Sequence, residues 1–410
     1  MRIFLAVNLI SSAFSFNPVP TSPLLAWSSI CRTGCTSRSM PVGTSRTNKY
    51  PMLMMSASEE QSGGGLTRKT LLEGVTKASG ILAVGTFLQR GLVAGVDYHG
   101  NPDLTGKTAV ITGGNTGLGK ETAVRLAQLG ADVTIACRSP DRAAAALEDI
   151  KAQAPGAKVV AMPLDLASLD SVASFAKSYA SLPSSSSLSS AGNKLDILVN
   201  NAGVMAIPER ESTRDGFEKQ FGINHLGHFR LTSLLMPKLL KSPDARVVSV
   251  SSSAHLFATA VDWDDLNAQA PDAYGPWKAY GLSKLSNILF TKALQKRLDA
   301  KGASVTCTAL HPGACRTELG RYLFDPTQPM NPLVYPVLAA ATLVTKSARE
   351  GAQTQIACAV EPSLVKNRGS GGLYFIGPKI TKMPSELARD PEAAERMWTA
   401  SEKMVGKFAV

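Results

Sequence analysis

Apolar residues change their spacing twice between residues 108 and 137, and this change predicts a β-α-β unit. Thr108 to Ile111 is a short run rich in Val and Ile, typical of a buried strand. From Leu118 to Leu129 apolar residues recur at three and four positions, as on one face of a helix, and Gly130 follows as its C′ residue. Val133 to Cys137 is a second apolar run. Strand, helix and strand thus follow within about thirty residues.

The same alternation continues to the end of the chain. Further helices are predicted at Asp141–Ala154, at about Ser168–Tyr179, at Asp215–Leu240, and around Tyr280 and Lys284 to about Leu298. Further strands are predicted at Val159–Met162, Leu195–Val199, Arg246–Val250, Val305–Ala309 and Leu373–Ile376. This order predicts an α/β protein with a Rossmann-type doubly wound parallel sheet of about seven strands and helices on both faces.

Glycines occupy the turn between the first strand and the first helix. Gly113, Gly117 and Gly119 let the backbone bend sharply and let a pyrophosphate approach without meeting a Cβ. The unsatisfied N–H groups at the helix start then face the anion. We therefore predict a dinucleotide site at this turn, and we assign the intervening residues Asn115, Thr116 and Leu118 to it.

The end of the second strand indicates which dinucleotide binds. Units that bind NAD usually place Asp or Glu there to hold the ribose 2′-hydroxyl. Here Arg138 follows the strand, and its planar guanidinium can pair with a 2′-phosphate. NADP(H) is therefore the predicted cofactor, with a solvated charge at the strand end as the alternative.

Composition adds a few exclusions. The 410 residues allow one large α/β domain with extensions. The net charge of +11 is not concentrated in one block, and no basic-aromatic module accompanies it, so we predict no nucleic-acid partner. The six cysteines show no metal-binding spacing, and we predict reduced thiols and no metal site. His225 and His228 have a spacing that can hold a metal, but without a third ligand packing is the preferred interpretation.

The first 55 residues read as a targeting presequence. Residues 1–16 combine Arg2 with an apolar run and a small-residue cleavage region, as in a signal peptide. The stretch to Met55 is rich in Ser, Thr, Pro, Arg and Lys and lacks acidic residues, as in a transit peptide. The combination predicts the plastid of an alga with secondary plastids, and plain secretion is the alternative. Residues 67–96 form a short amphipathic segment: a membrane-surface helix, a second targeting signal or a packed helix.

Several motifs together resemble the short-chain dehydrogenase/reductase family over about residues 104–380. They are TGGNTGLG (112–119), NNAG (200–203), Asn224, the serines 251–253, YGLSK (280–284) and HPG (311–313). Within the family, ACR (136–138), INHLGHF (223–229) and YGLSKLSNILFTKAL (280–294) look most like the retinol dehydrogenase branch. That branch includes the WW-domain oxidoreductase, and protochlorophyllide reductase is a nearby relative. We divide the chain into a presequence (1–55), a linker (56–103), an NADP-binding domain (104–380) and a C-terminal extension (381–410).

The resemblance implies a catalytic set of four residues. Ser252 would hold the substrate oxygen, although three adjacent serines leave a margin of one residue. Tyr280 would exchange the proton, and Lys284, one helical turn away, would lower the tyrosine pKa and bind the nicotinamide ribose. Asn224 would hold a water in the proton relay. The resemblance also implies further cofactor contacts at Asp165, Leu166, Asn201, Ala202, Gly203, Pro312, Gly313 and Thr317. Asp165 would accept a hydrogen bond from the adenine amino group, with capping of the next helix as the alternative.

The segment after HPG bears on the substrate. Leu319 and the stretch Met330–Val344 are apolar and resemble the family's substrate lid; a buried core helix would have the same composition. We predict an NADPH-dependent oxidoreductase that interconverts a hydrophobic carbonyl compound and its alcohol. A light-dependent protochlorophyllide reductase and a non-catalytic NADPH-sensing binding protein are the two alternatives. Peripheral membrane association and formation of a homo-oligomer stay open.

Overall fold

The computed structural model describes residues 97–182, 194–322, 345–366, 372–377, 379–380 and 385–408, all within one compact unit, Leu66–Val410. The predicted presequence, the amphipathic segment 67–96 and the apolar stretch 330–344 lie outside the described residues. Those interpretations stay predictions. None of the helices in the described ranges combines the length and apolar character needed to cross a membrane.

The domain is built on one sheet of eight strands in the order β3-β2-β1-β4-β5-β6-β7-β8. The strands are β1 Thr108–Thr112, β2 Asp132–Cys137, β3 Val159–Pro163, β4 Ile197–Asn200, β5 Ala245–Val250, β6 Val305–His311, β7 Leu373–Ile376 and β8 Lys379–Ile380. The first seven are parallel, and the two-residue β8 adds an antiparallel edge. The predicted α/β class and doubly wound parallel sheet are confirmed.

Seven helices of more than one turn accompany the strands in the described residues. They are α1 Gly117–Gln128, α2 Pro140–Gln153, α3 Leu169–Ala180, α4 Gly227–Leu239, α5 Pro276–Ala300, α6 Ala348–Val360 and α7 Pro391–Val405. Shorter turns lie at Lys219–Phe221, Gly222–Leu226, Ser253–Phe257, Glu318–Tyr322, Ser363–Lys366 and Glu386–Arg389. One core cluster joins the sheet to α3, α4, α5 and α7, and a second joins it to α1, α2 and α6.

The strands are apolar throughout because both faces of the sheet are covered. All five residues of β1 are buried. Side chains alternate along a strand, so Val110 belongs to the core on one face, and Ala109 and Ile111 belong to the core on the other. This double burial explains why these strands appear in the sequence as continuous apolar runs.

The predicted helix Asp215–Leu240 is wrong in its first part. Helical structure begins only at Lys219, and Gly222–Leu226 is a π-helical turn before α4 starts. Gly216 has φ +85°, which is incompatible with a right-handed helix. The Glu218 carboxylate then accepts the N–H groups of Gln220 and Phe221 at 2.9 and 2.6 Å and so caps the new start.

Residues at both ends of the described chain pack onto the sheet domain. Trp398 of α7 is buried and stacks on Phe290 of α5 with ring centroids 6.1 Å apart, and the Arg297 guanidinium lies 4.1 Å from its ring. Near the other end, the Tyr98 N–H donates to Gln353 on α6 at 3.0 Å. The predicted extension and linker therefore both contribute contacts to the domain.

Candidate active site

A glycine cradle lies between β1 and α1. Gly117 has φ +55°, and a Cβ built on it would lie 3.2 Å from Cγ2 of Thr317. At Gly119 a Cβ would lie 2.4 Å from the carbonyl oxygen of Gly113, so no side chain fits there. The Thr116 side chain does not cap α1 in the described structure, and the first N–H groups of the helix face the same turn. This cradle fits a dinucleotide pyrophosphate.

The turn after β4 is tied to the end of β1. The N–H groups of Asn201 and Ala202 donate to Oγ1 of Thr112 at 2.9 and 3.0 Å, and the Asn201 side-chain amide donates to the Thr112 carbonyl at 2.8 Å. Because β1 and β4 are neighbours across the point where the strand order reverses, this turn lies where doubly wound folds bind ligands. Sequence reasoning missed Thr112; its signal is a hydroxyl at the last position of an apolar strand.

The predicted adenine-side residues lie at the ends of β2 and β3. Arg138 is exposed directly after β2 and has no hydrogen bond or ion pair within the described residues. Its neighbour Arg142 instead pairs with Glu318 at 2.9 Å. The Asp165 carboxylate accepts the Ala167 N–H at 3.0 Å, whereas Ser168 caps α3. Asp165 therefore shapes the loop after β3 and is not the helix cap.

Three further predicted cofactor residues lie on this rim of the sheet. Leu166 is buried, and its carbonyl oxygen lies against Gly227, where a Cβ would come within 2.7 Å. Pro312 is buried at the end of β6, and Gly313 after it has φ +96°. The sequence-predicted cofactor residues thus lie along the carboxyl ends of the parallel strands, on the side where such sheets bind their ligands.

Helix α5 places Tyr280 and Lys284 one turn apart, as their spacing predicts. Both side chains are buried, and the Lys284 ammonium lies 5.7 Å from the centre of the Tyr280 ring. The ammonium donates to the carbonyl oxygen of Val250 at 3.0 Å. Gly203 lies beside them: a Cβ there would be 3.6 Å from Nζ of Lys284 and 3.0 Å from Oδ1 of Asn224. The structure therefore brings Tyr280, Lys284, Asn224 and the turn after β4 together.

The three serines after β5 have different surroundings. Ser251 is buried and donates to the main-chain carbonyl of Lys284 at 2.6 Å. Ser253 is exposed and starts the 3-10 turn Ser253–Phe257. Ser252 lies between them, half-buried; its Oγ accepts the Ala254 N–H at 3.1 Å, and its side chain is close enough to Tyr280 to lower the pKa of the tyrosine. Of the three, Ser252 is the one placed against the tyrosine.

The protonation states of the tyrosine and the lysine follow from burial. Burial raises the pKa of Tyr280 to about 12, and the hydrogen bond with Ser252 opposes this rise. Burial lowers the pKa of Lys284 to about 8. At neutral pH the tyrosine therefore holds its proton and the lysine is still mostly charged. This is the state needed to donate a proton to a carbonyl oxygen.

Asn224 lies in the middle of the π-helical turn with its side chain fully engaged. Its Oδ1 accepts the Val204 N–H at 2.9 Å, and its Nδ2 donates to the Val204 carbonyl and to Oγ of Ser283, each at 2.9 Å. Ser283 in turn donates to the carbonyl of Tyr280 at 2.8 Å. Asn224 thus joins the turn after β4 to α5. Sequence reasoning assigned no role to Ser283, although the residue lies within the motif YGLSK (280–284).

His225 and His228 are both buried and both hydrogen-bonded. His225 Nε2 lies 2.7 Å from Oγ of Ser401, and His228 Nε2 lies 2.8 Å from Oγ1 of Thr112. Over the ranges that the structure describes, no three His, Cys, Asp or Glu side chains form a group that could hold a metal ion. The two histidines are parts of the packed interior.

Two exposed aromatic side chains lie next to Tyr280. Trp277 and Phe257 are 44% and 46% exposed, and their ring centroids are 5.9 Å apart. The Trp277 ring lies 6.1 Å from the Tyr280 ring in an edge-to-face arrangement. An exposed aromatic pair of this kind is a candidate surface for an apolar ligand. It is a further feature that sequence reasoning missed.

Comparisons with known proteins agree with this geometry. The family model for short chain dehydrogenase matches residues 107–262. Retinol dehydrogenase 13 of Homo sapiens is 41% identical over 335 residues, which are 80% of this chain and 93% of that protein. Retinol dehydrogenase 12 of Homo sapiens is 40% identical over 317 residues, covering 77% of this chain and 92% of that protein. A crystal structure of an uncharacterized protein from Mycobacterium paratuberculosis has a TM-score of 0.59 at 33% identity and covers 77% of this chain and 99% of that one.

The resemblance predicted from the motifs is confirmed by these matches. The similarity covers nearly the whole length of these relatives, 93% and 92%. The chain therefore belongs to the short-chain dehydrogenase/reductase family, in the branch of the retinol dehydrogenases, and is an oxidoreductase of the kind that binds a nicotinamide cofactor.

Proposed function

We propose that the protein is an NADP(H)-dependent oxidoreductase that interconverts a hydrophobic carbonyl compound and its alcohol. The observation behind the proposal is the cluster of Ser252, Tyr280 and Lys284: the Lys284 ammonium lies 5.7 Å from the centre of the Tyr280 ring, and the Ser252 side chain lowers the pKa of the tyrosine. A hydroxyl pair beside a buried ammonium can hold a substrate oxygen and exchange a proton with it. A protein that only binds a nucleotide needs no proton donor at this place, so the arrangement favours the oxidoreductase over a binding protein.

Each residue has one task in this proposal. The bound cofactor supplies a hydride in reduction and accepts one in oxidation. Ser252 donates a hydrogen bond to the carbonyl oxygen, and Tyr280 passes its phenolic proton to that oxygen, which becomes the hydroxyl of the alcohol. The resulting phenolate is stabilised by the Lys284 ammonium on the same helix face. Asn224 holds the turn after β4 against α5, so that cofactor and proton donor keep their relative positions.

The preference for NADP(H) rests on Arg138. It is exposed at the end of β2, and in the described structure no carboxylate neutralises it. A guanidinium there attracts a 2′-phosphate through charge-assisted hydrogen bonds. An aspartate or glutamate, which would hold a 2′-hydroxyl, is absent from positions 137 to 139.

The hydrophobic substrate class rests on Phe257 and Trp277. Their rings form an apolar surface that leads to Tyr280, and an apolar substrate would cover that surface when its carbonyl group reaches the tyrosine. The names of the similar relatives, retinol dehydrogenases 12 and 13, refer to an apolar alcohol and support the same class.

The test is a turnover assay of the full chain with NADPH and NADH against aldehydes and ketones of increasing apolar length. We expect turnover with NADPH, kcat/KM that increases with apolar length, and loss of turnover in Tyr280→Phe. Cofactor binding without turnover on any compound would indicate a non-catalytic nucleotide-binding protein. Reduction of protochlorophyllide only under illumination would assign the light-dependent reaction instead.

A further inference from the structure

His228 is a buried side chain to which the proposed reaction assigns no task. It is 2% exposed in the first turn of α4, and both ring nitrogens have a partner. Nδ1 lies 2.9 Å from the main-chain carbonyl of Asn224, and Nε2 lies 2.8 Å from Oγ1 of Thr112. A carbonyl oxygen can only accept, so Nδ1 holds the proton of the neutral ring and Nε2 accepts.

The Thr112 hydroxyl is the link from His228 to the cofactor side. Its oxygen accepts the N–H groups of Asn201 and Ala202, so its single proton must point elsewhere. The nearer acceptor is Nε2 of His228 at 2.8 Å, compared with the Val199 carbonyl at 3.3 Å. The histidine therefore orients the hydroxyl that holds the turn after β4 against the glycine cradle.

The Asn224 carbonyl is the link from His228 to the catalytic side. It belongs to the π-helical turn Gly222–Leu226, which departs from the regular hydrogen-bond ladder of a helix. The Asn224 side chain is held by Val204 and Ser283, and the ring of His228 holds its main chain. The ring of His228, one turn after Asn224, therefore supports the main chain of the π-helical turn.

We propose that His228 is a positioning residue that couples Asn224 to the cofactor-facing turn after β4 through Thr112. The inference rests on the proposed function for its catalytic half, while its cofactor half requires only that a nicotinamide dinucleotide binds. Burial lowers the pKa of His228 to about 4, so the ring stays neutral and keeps this hydrogen-bond direction throughout the neutral range.

Two substitutions separate the two hydrogen bonds. In His228→Asn the side-chain amide can occupy the place of Nδ1, which keeps the donor to Asn224 and removes the partner of Thr112. In His228→Gln the amide reaches the place of Nε2, which keeps the partner of Thr112 and removes the donor to Asn224. Cofactor dissociation constants and kcat at saturating cofactor are measured for both variants.

The two variants should fail in different parameters. We expect His228→Asn to weaken NADPH binding by about fivefold or more, the effect of one neutral hydrogen bond, with a smaller change in kcat. We expect His228→Gln to lower kcat by a similar factor of about five or more, with a smaller change in the dissociation constant. If His228 had a role in folding alone, both variants would lose stability. They would not differ from each other in the NADPH dissociation constant or in kcat.

His225→Gln is the matched control. His225 is equally buried three residues earlier, but it contacts Ser401 and the rings of Phe221 and Phe229 instead of the cofactor side. We expect this variant to lower the melting temperature while the dissociation constant and kcat stay as in the parent. The same split in His225→Gln, or equal losses in both His228 variants, would overturn the proposal.

Two outcomes of this experiment require a different comparison. If the parent binds NADPH and turns over no substrate, the proposed function has failed, and the difference in NADPH affinity between His228→Asn and His228→Gln still decides the Thr112 half. If the histidine variants do not fold, Thr112→Val and Thr112→Ser replace them. Weaker NADPH binding in Val than in Ser supports the link, because only Ser keeps the hydroxyl, and equal affinities overturn it.

Discussion

The Oγ of Ser251 donates a hydrogen bond of 2.6 Å to the main-chain carbonyl of Lys284. This bond fixes the end of β5 to the middle of α5. The side chain of the next residue, Ser252, lowers the pKa of Tyr280 on the same helix. The two adjacent serines therefore act on α5 in different ways: Ser251 holds its main chain, and Ser252 affects the side chain of Tyr280. Under the proposed function, Ser252 is the one that holds the substrate oxygen.

Alanine at each serine should separate these tasks. Ser252→Ala should lower kcat by about 10² to 10³, as when one donor to a reacting oxygen is removed, and should also lower stability, because the Ser252 Oγ accepts the Ala254 N–H and caps the 3-10 turn. Ser251→Ala should lower the free energy of unfolding by about 1 kcal/mol, because a buried hydrogen bond is lost. Steady-state kinetics and urea denaturation of both variants provide the check. A large loss of kcat in Ser251→Ala, with kcat unchanged in Ser252→Ala, would place the substrate contact at Ser251.

Tyr280→Phe should remove turnover and leave the fold intact. The ring continues to pack against Trp277, and only the oxygen that exchanges the proton is lost. The expected reduction of kcat is about 10² to 10⁴, the usual contribution of general acid–base catalysis. The NADPH dissociation constant, measured by fluorescence titration, should stay close to that of the parent. Near-normal turnover would contradict the assignment of the proton donor.

Lys284→Met should lower activity and cofactor affinity but raise stability at neutral pH. The folded-state pKa of Lys284 is about 8, below its usual 10.5, because burial disfavours the ammonium. The folded protein therefore binds this proton more weakly than the unfolded chain, which destabilises the parent below about pH 8. The Val250 carbonyl keeps its hydrogen bond from Asn287 when the ammonium is removed.

The predicted difference in unfolding free energy between Lys284→Met and the parent depends on pH. The lysine penalty in the parent decreases as the pH rises from about 8 to 10.5, so the advantage of Lys284→Met should shrink over that window. At pH 7 the gain in unfolding free energy should be on the order of a few kcal/mol. Urea denaturation of both proteins at pH 7 and pH 10 measures it. A variant that is less stable than the parent at pH 7 would contradict the role of burial.

Arg138→Asp should reverse or narrow a preference for NADPH over NADH. Loss of the guanidinium should cost NADPH about tenfold or more in affinity, since a hydrogen bond to a charged group contributes about 1.5–3 kcal/mol. Lys151→Asp is the matched control: it makes the same charge change at an exposed position in the last turn of α2. Dissociation constants for both cofactors are compared. Equal affinities for NADPH and NADH in the parent would contradict the prediction.

Trp277→Ala should raise KM for long apolar substrates and leave short ones nearly unaffected. An apolar substrate loses the ring it would cover, and kcat/KM should fall by about tenfold, within the 1.5–3 kcal/mol of a large buried apolar group. Leu240→Ala is the control, because Leu240 is 45% exposed but follows α4 near the start of β4, away from the site. An equal loss for short and long substrates would exclude the aromatic surface as the specificity element.

The sequence by itself determined the sheet, the cradle and the Tyr–Lys pair. Strand and helix periods are local properties, and a buried parallel strand must be apolar along its whole length. The glycines after β1 are required by a turn that no side chain can occupy. Tyr280 and Lys284 lie four residues apart on one helix, so their proximity depends on no other part of the chain.

The tertiary structure decided what depends on contacts between distant segments. Thr112 and His228 are 116 residues apart along the chain, and no periodicity could join them. The choice of Ser252 among three serines depends on where α5 crosses the end of β5. The start of the helix at Lys219 depends on Glu218, whose carboxylate caps it by accepting the first N–H groups, which have no partner within the helix. The burial of a side chain and its hydrogen-bond partners are properties of the folded chain. They decide between the several roles that the residue type alone would allow.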